Sequence, residues 1–262
     1  MPKDTFNYPQ KKIDELIEGI YTGSIIPYDI PEDLYFAVAD YLKSGLYKGF
    51  GGSLVDFTGK DLELLTELRE NIYMFSAAKN FQQLQQIQSL MFDEKGERVS
   101  MEEFSKLGEA TFERWNSDWG RSEYNTAVHS AQMASKWQEI ERTKDVLPNL
   151  TYSTIGDACD ICAPLEGFTA PVNDSAWSSI YPTNHFSCLC VVLQEDNEKE
   201  LTSKTDKKEI LDSVESKMQP MFKMNSGKDR IIFSTEHPYF KVDKKDSEFA
   251  KTNFGLPLPE SD

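Results

Sequence analysis

All four cysteines of this 262-residue chain lie between positions 159 and 190, in "ACDIC" and "SCLC", and His185 stands just ahead of the second pair. Cys159 and Cys162 have the C-x2-C spacing that turns two thiolates toward one ion. His185, Cys188 and Cys190 follow as H-x2-C-x-C. The two groups can meet only if the intervening backbone doubles back, so the window must fold as a loop pinned to its own base. Five candidate ligands then face a metal that takes four. Zinc suits thiolate and imidazole in a closed tetrahedral site. One zinc per chain would give a segment with little core its folding energy, a structural role. The compact set is Cys159, Cys162, His185 and Cys188. If "CLCVV" is a strand, residues 188 and 190 share a face, and Cys190 could replace Cys188.

Other chemistries fit the window less well. A thioredoxin-like pair opens a helix after a strand, whereas Pro164 and Gly167 follow this one within five residues. A catalytic zinc needs an open position with an acid or base beside it; Asp160 or Glu166 would serve, but cysteine-rich ligation argues for a closed site. The zinc-deaminase order, H-x-E before P-C-x-x-C, is lacking.

Charge narrows the partners. The chain carries a formal charge of −16, and no lysine or arginine occurs from Thr151 to Leu193. Gripping phosphates needs such cations, so no direct nucleic-acid binding is expected and protein partners are favoured. With 39% hydrophobic residues the chain supports a real core. Neither a signal peptide nor a membrane-length apolar run is visible, and we read the protein as soluble, cytoplasmic and free of membrane contact.

Patterning divides the chain into four. Residues 1–57 read as short helices broken by turns, with Pro31 early and Gly45 late in one of them. Residues 58–148 read as a long antiparallel helical hairpin. Its first arm is amphipathic through Leu65, Leu68, Ile72 and Phe75. Its second starts at a capping box, Ser100 with Glu103, and is expected to break at Gly120. The apolar face of that arm takes in Phe104, Leu107, Phe112, Trp115, Trp119, Ala127, Ala131, Ala134 and Trp137. Residues 149–193 form the Cys/His segment of short strands, including "LTYSTI" and "CLCVVL". Residues 194–262 form a charged linker helix and a docking tail in which "DRIIFSTEHPYFKV" could add a strand and "GLPLPESD" should be loose. The fold class is therefore α+β, mainly helical at the N-terminal side, then a small zinc-stapled α+β segment and an extended tail.

The segment "YSTIGDACDICAPLEGFTAP" followed by "YPTNHFSCLCVV" resembles the signature of phage Mu F-like minor head proteins. The upstream helix "WNSDWGRSEYNTAVHSAQMASKWQEI" is similar to the stretch that precedes it there, with Arg121, Ser122 and Glu123 at an R-[ST]-E core. The likeness covers about residues 60–193, and "NSGKDRIIFSTEHPYF" resembles endings of some members. Leu189 departs from the pattern, since relatives often have arginine between the last two cysteines. The resemblance implies a non-enzymatic minor head protein in phage head morphogenesis. It would sit at the portal vertex or capsid interior, with portal protein or major capsid protein as partners and a homo-oligomer as a further possibility. Its place would be the virion head, and the host cytoplasm during assembly.

Outside the cysteines, Arg121 and Glu123 are candidate partner contacts, and His129 reads as a semi-buried helix residue. His237, Pro238, Tyr239 and Phe240 read as a docking peptide whose aromatic rings would insert into a neighbouring subunit. Two further readings use other features: a phage-encoded nuclease or toxin effector acting through His237, and a cytosolic zinc-binding adaptor. The effector needs a second general acid or base that the tail does not obviously supply.

Overall fold

The computed structural model describes residues 5–156 and 158–260. The element order is α1 (Gln10–Thr22), α2 (Glu32–Phe50), α3 (Gly59–Ser89), α4 (Met101–Glu113), a π-helical turn (Arg114–Asp118), α5 (Trp119–Thr143), β1 (Asn149–Ser153), β2 (Thr169–Pro171), β3 (Val191–Glu195), α6 (Lys204–Glu215), α7 (Ser226–Asp229) and α8 (Ser247–Lys251). It is a mostly helical α+β chain with one small sheet. Two compact units share it. The first takes the chain up to Gly45, Arg69–Tyr124, and everything from His237 on; the second takes Leu46–Leu68 and Asn125–Glu236.

In the first unit the α3 segment is buried nearly all round, which corrects the expectation of an amphipathic arm. Ile72, Phe75, Phe81, Leu84 and Ile87 are inside, and so are Ser76, Lys79, Asn80 and Gln83. A helix without a wet face belongs to the middle of its unit. α4 starts as expected, with the Ser100 hydroxyl accepting from Glu103 N at 3.2 Å. It packs closely on α1 at Gly108: a Cβ there would meet Ile17 at 3.2 Å, so the isoleucine side chain would have to give by a few tenths of an ångström. Trp115 Nε1 donates to Gln86 Oε1, while Lys79, seven residues before Gln86, reaches Glu123, eight residues after Trp115. The order of contacts along α3 is thus reversed along α4 and α5.

The expected break at Gly120 is instead a π-turn ending two residues before it, and Gly120 itself is helical. The wider turn is held by Lys79, whose ammonium donates to the Trp115 carbonyl at 2.7 Å. Leu107 and Trp119 are exposed, not core.

The C-terminal segment is a strap on this unit, and among its described residues no strand occurs. Gln82 donates to the carbonyls of Tyr239 and Lys241 at 3.2 and 3.1 Å. Tyr35 donates to the Pro257 carbonyl at 2.6 Å and Arg69 to that of Glu260 at 2.7 Å. Phe254 and Leu256 are buried. The end expected to be loose is therefore tied down as far as Glu260.

The second unit is built on the antiparallel sheet β2-β1-β3, with Leu150 opposite both Ala170 and Gln194. Leu150, Tyr152, Ala170 and Val192 join Trp137, Ile140, Phe168, Trp177 and Tyr181 in one apolar cluster. α6 is capped by Ser203, whose hydroxyl accepts from Asp206 N at 3.2 Å, and it buries Val214 while remaining mostly exposed. No strand forms in residues 230–236, where "IIF" buries Ile232 and Phe233 in an irregular segment.

Candidate metal centre

The knuckle is a tight turn: Cys162 N and Ala163 N both donate to the Cys159 carbonyl, at 3.0 and 2.8 Å. It follows β1 and leads into a 3₁₀ turn, Ala163–Leu165. The second ligand group precedes β3, which starts at Val191, so Cys188 and Cys190 are not strand neighbours. They lie after Ser187, whose φ of 57° is left-handed, and Cys188 N closes a turn onto the His185 carbonyl at 3.1 Å.

These turns bring the five residues together. The ligand atoms of Cys159, Cys162 and His185 lie within 4.8 Å of one another, as do those of Cys162, Cys188 and Cys190. Cys162 belongs to both groups. Its sulfur is 3.9 Å from that of Cys188. Sulfurs about 2.3 Å from a tetrahedral zinc stand about 3.8 Å apart, so this pair already has the spacing of one edge. Cys162, Cys188 and Cys190 are buried and Cys159 is exposed.

Surrounding groups orient the ligands. His185 Nδ1 lies 2.9 Å from the Phe186 carbonyl, which can only accept, so a proton sits there and Nε2 is the nitrogen that would serve a metal once its own proton is displaced. Tyr152 donates to the Cys162 sulfur at 3.4 Å and is itself held by Asn184 Nδ2 at 3.0 Å. His129, which the sequence marked only as a semi-buried polar residue, has Nε2 2.8 Å from the Cys190 carbonyl and fixes the C-x-C turn. No spacing rule pointed to it, since it stands 61 residues away.

The electrostatics favour a cation. Hydrogen bonds from Cys162 and Cys190, with His185 adding to them, hold the Cys188 thiol well below the usual thiol range, while Cys162 and Cys190 are pushed up. The three buried thiols thus favour ionisation of Cys188 over that of its two neighbours. Its hydrogen bond to that sulfur raises His185 to about 9. At Cys159 burial opposes ionisation, but the backbone N–H groups of Cys162 and Ile161 outweigh it and lower the thiol. With no lysine or arginine in the segment, His185 is its only cationic side chain beside these sulfurs. The cluster has the donors, spacing and charge to hold a metal ion.

The remaining expected residues are placed differently. Arg121 is exposed. Glu123 is 2% exposed, paired with Lys79 and bonded by the Tyr239 hydroxyl at 2.9 Å. His237 is 5% exposed, its ring 4.9 Å from Phe75 and its Nδ1 accepting from Tyr239 N at 3.2 Å. Burial and the neighbouring Lys79 lower it to about 4. Tyr239 is buried and stacked on Trp115 at 4.9 Å. Phe240 is half-buried and Pro238 exposed. Glu123, His237 and Tyr239 are thus internal packing, which corrects the picture of an aromatic peptide held out to a neighbour. A sealed His237 is equally unsuited to be the base of an effector.

The module so defined is a thiolate–imidazole centre carried on a helical scaffold. Residues 76–193 match the family model described as Phage Mu protein F like protein, from the middle of α3 through the last ligand and into β3. This matched part of the chain, somewhat under half of it, is similar to that family. No curated protein and no solved structure matches the chain. Among the described residues no helix is long and apolar enough to cross a membrane.

Proposed function

We propose that this chain is a minor head protein of a phage, acting structurally in head morphogenesis beside the portal or the inner capsid surface. The observation that carries the reading is that the matched segment also folds its possible metal ligands together. The family match spans residues 76–193, and all five clustered ligands fall inside it. In this reading Cys159, Cys162, His185 and Cys188 hold one structural zinc, and Cys190 is a hydrogen-bonded thiol beside it. Bound there, zinc would neutralise the thiolates and close the loop between the two ligand groups. Tyr152, Asn184 and His129 would hold the ligands in place.

The test is quantitative mass spectrometry of purified procapsids and DNA-filled heads from the source phage, counting this chain against portal and coat. A low, fixed copy number in either particle is expected. Absence from both would overturn the reading.

A further inference from the structure

A cavity of about 340 Å³ opens in the first unit between α4, its π-turn and the residues that lead into α1. Buried Phe112 and Asn116 line its inner end, half-buried Phe6 and Tyr8 its wall, and exposed Glu109 and Glu113 its mouth. Tyr8 is stacked on Phe112 at 5.9 Å and Phe6 lies 6.4 Å from the same ring. The Tyr8 hydroxyl is engaged with Asp33, which leaves the ring to the cavity.

Asn116 is 2% exposed and sits in the π-turn, a departure from regular helix that often accompanies a functional site. Its Nδ2 donates to the Phe112 carbonyl at 3.0 Å, which fixes the orientation of the amide. Its Oδ1 is then a sealed acceptor with no partner among the described residues. A buried carbonyl in that state is unfavourable until a donor reaches it.

The charges around it are of one sign. No lysine or arginine lines the cavity, and Glu109 and Glu113 stand four residues apart on one face of α4. Lys106, within helical reach of Glu109, is paired with Glu102 instead. In a chain of charge −16 this site attracts a cation. A hydrated metal ion has no use for aromatic walls, whereas an organic cation uses walls and carboxylates together. An ammonium offers its three donors from one point. A guanidinium spreads five over a plane, so it can reach carboxylates and the Asn116 carbonyl at once while lying along a ring. The inner end takes such a head, and the exposed mouth leaves room outside for the backbone that carries it.

We propose that this cavity receives the guanidinium of an arginine side chain from a partner protein, held by Glu109, Glu113 and the Asn116 carbonyl. The proposal depends neither on the metal centre nor on the head-protein reading.

The test is calorimetric titration of the full chain with a capped glycine peptide carrying one central arginine. Three further titrations use the same peptide with citrulline, the same peptide with lysine, and agmatine, a free guanidinium compound. Saturable binding of the arginine peptide is expected, weakened about tenfold or more in Glu109→Gln and in Glu113→Gln. Both glutamates are exposed, so their variants should keep the parent's unfolding curve, which is measured alongside. No saturable binding, equal binding of the citrulline peptide, or unchanged affinity in both folded variants would overturn the proposal. Equal binding of the lysine peptide would overturn the choice of guanidinium, and binding of agmatine without the arginine peptide would overturn the choice of a protein partner.

Discussion

Tyr239 donates its phenolic hydroxyl to Glu123 at 2.9 Å, and the other oxygen of that carboxylate pairs with Lys79. Both charged side chains are 2% exposed. Burial lowers the Lys79 ammonium from its usual range, with Glu123 opposing that shift. A pair taken out of water does little net work for stability, but either partner left alone is costly.

Removing one partner is therefore worse than removing both. Lys79→Met or Glu123→Leu should each lose about 3–5 kcal/mol, and the double variant should recover a substantial part. Urea unfolding of the four proteins measures the coupling. Additive losses would show that the two charges do not depend on each other.

His237 sets a pH window. Its folded value of about 4 lies below the usual 6.5, so the folded chain keeps the ring neutral where the unfolded chain takes up a proton. Its stabilisation is complete above pH 6.5 and is lost as pH falls toward 4, by up to about 3 kcal/mol. His237→Asn should flatten that part of the stability profile relative to the parent. Identical slopes between pH 6.5 and 4 would refute the assignment.

The metal reading separates Cys188 from Cys190. Protein purified without chelators should carry about one zinc per chain, and Cys162→Ser or Cys188→Ser should lose it together with order in the 154–190 loop. Cys190→Ser should keep the metal. Loss of zinc from Cys190→Ser with retention in Cys188→Ser would exchange the two roles.

Two glycines should respond in opposite ways. In the second unit a Cβ at Gly49 would stand 1.9 Å from the Val128 carbonyl, so Gly49→Ala must push α2 off α5, at a cost of about 3 kcal/mol or more. A Cβ at Gly120 meets nothing nearer than 3.6 Å. Inside a helix, Gly120→Ala should gain up to about 1 kcal/mol. Thermal unfolding of both variants provides the comparison.

The ligand cluster was legible because its signal is local: the spacing of Cys159 and Cys162, and of His185, Cys188 and Cys190, survives any detail of the fold between them. Ser100 was legible as a cap for the same reason. What escaped depended on distant residues. The three-and-four spacing of Leu65, Leu68, Ile72 and Phe75 marks one apolar face, but it gives no sign that Lys79 and Gln83 on other faces are buried too. The segment "DRIIFSTEHPYFKV" suggested a strand, yet among the described residues no neighbouring strand offers it a ladder. Tyr239 looked like an anchor for another molecule because its partner, Glu123, stands 116 residues away in the same chain.

That separation orders events on the ribosome. The first unit holds Lys79 and Glu123, but the hydroxyl that completes their pairing is translated only after the whole second unit. At about 5–20 residues per second, the interval between Glu123 and Tyr239 is on the order of 6–25 seconds. Through that time the nascent first unit has Trp115 without its stacking ring and Glu123 short of a donor, and the second unit receives its last residue before the first does. Folding of the N-terminal unit is completed last.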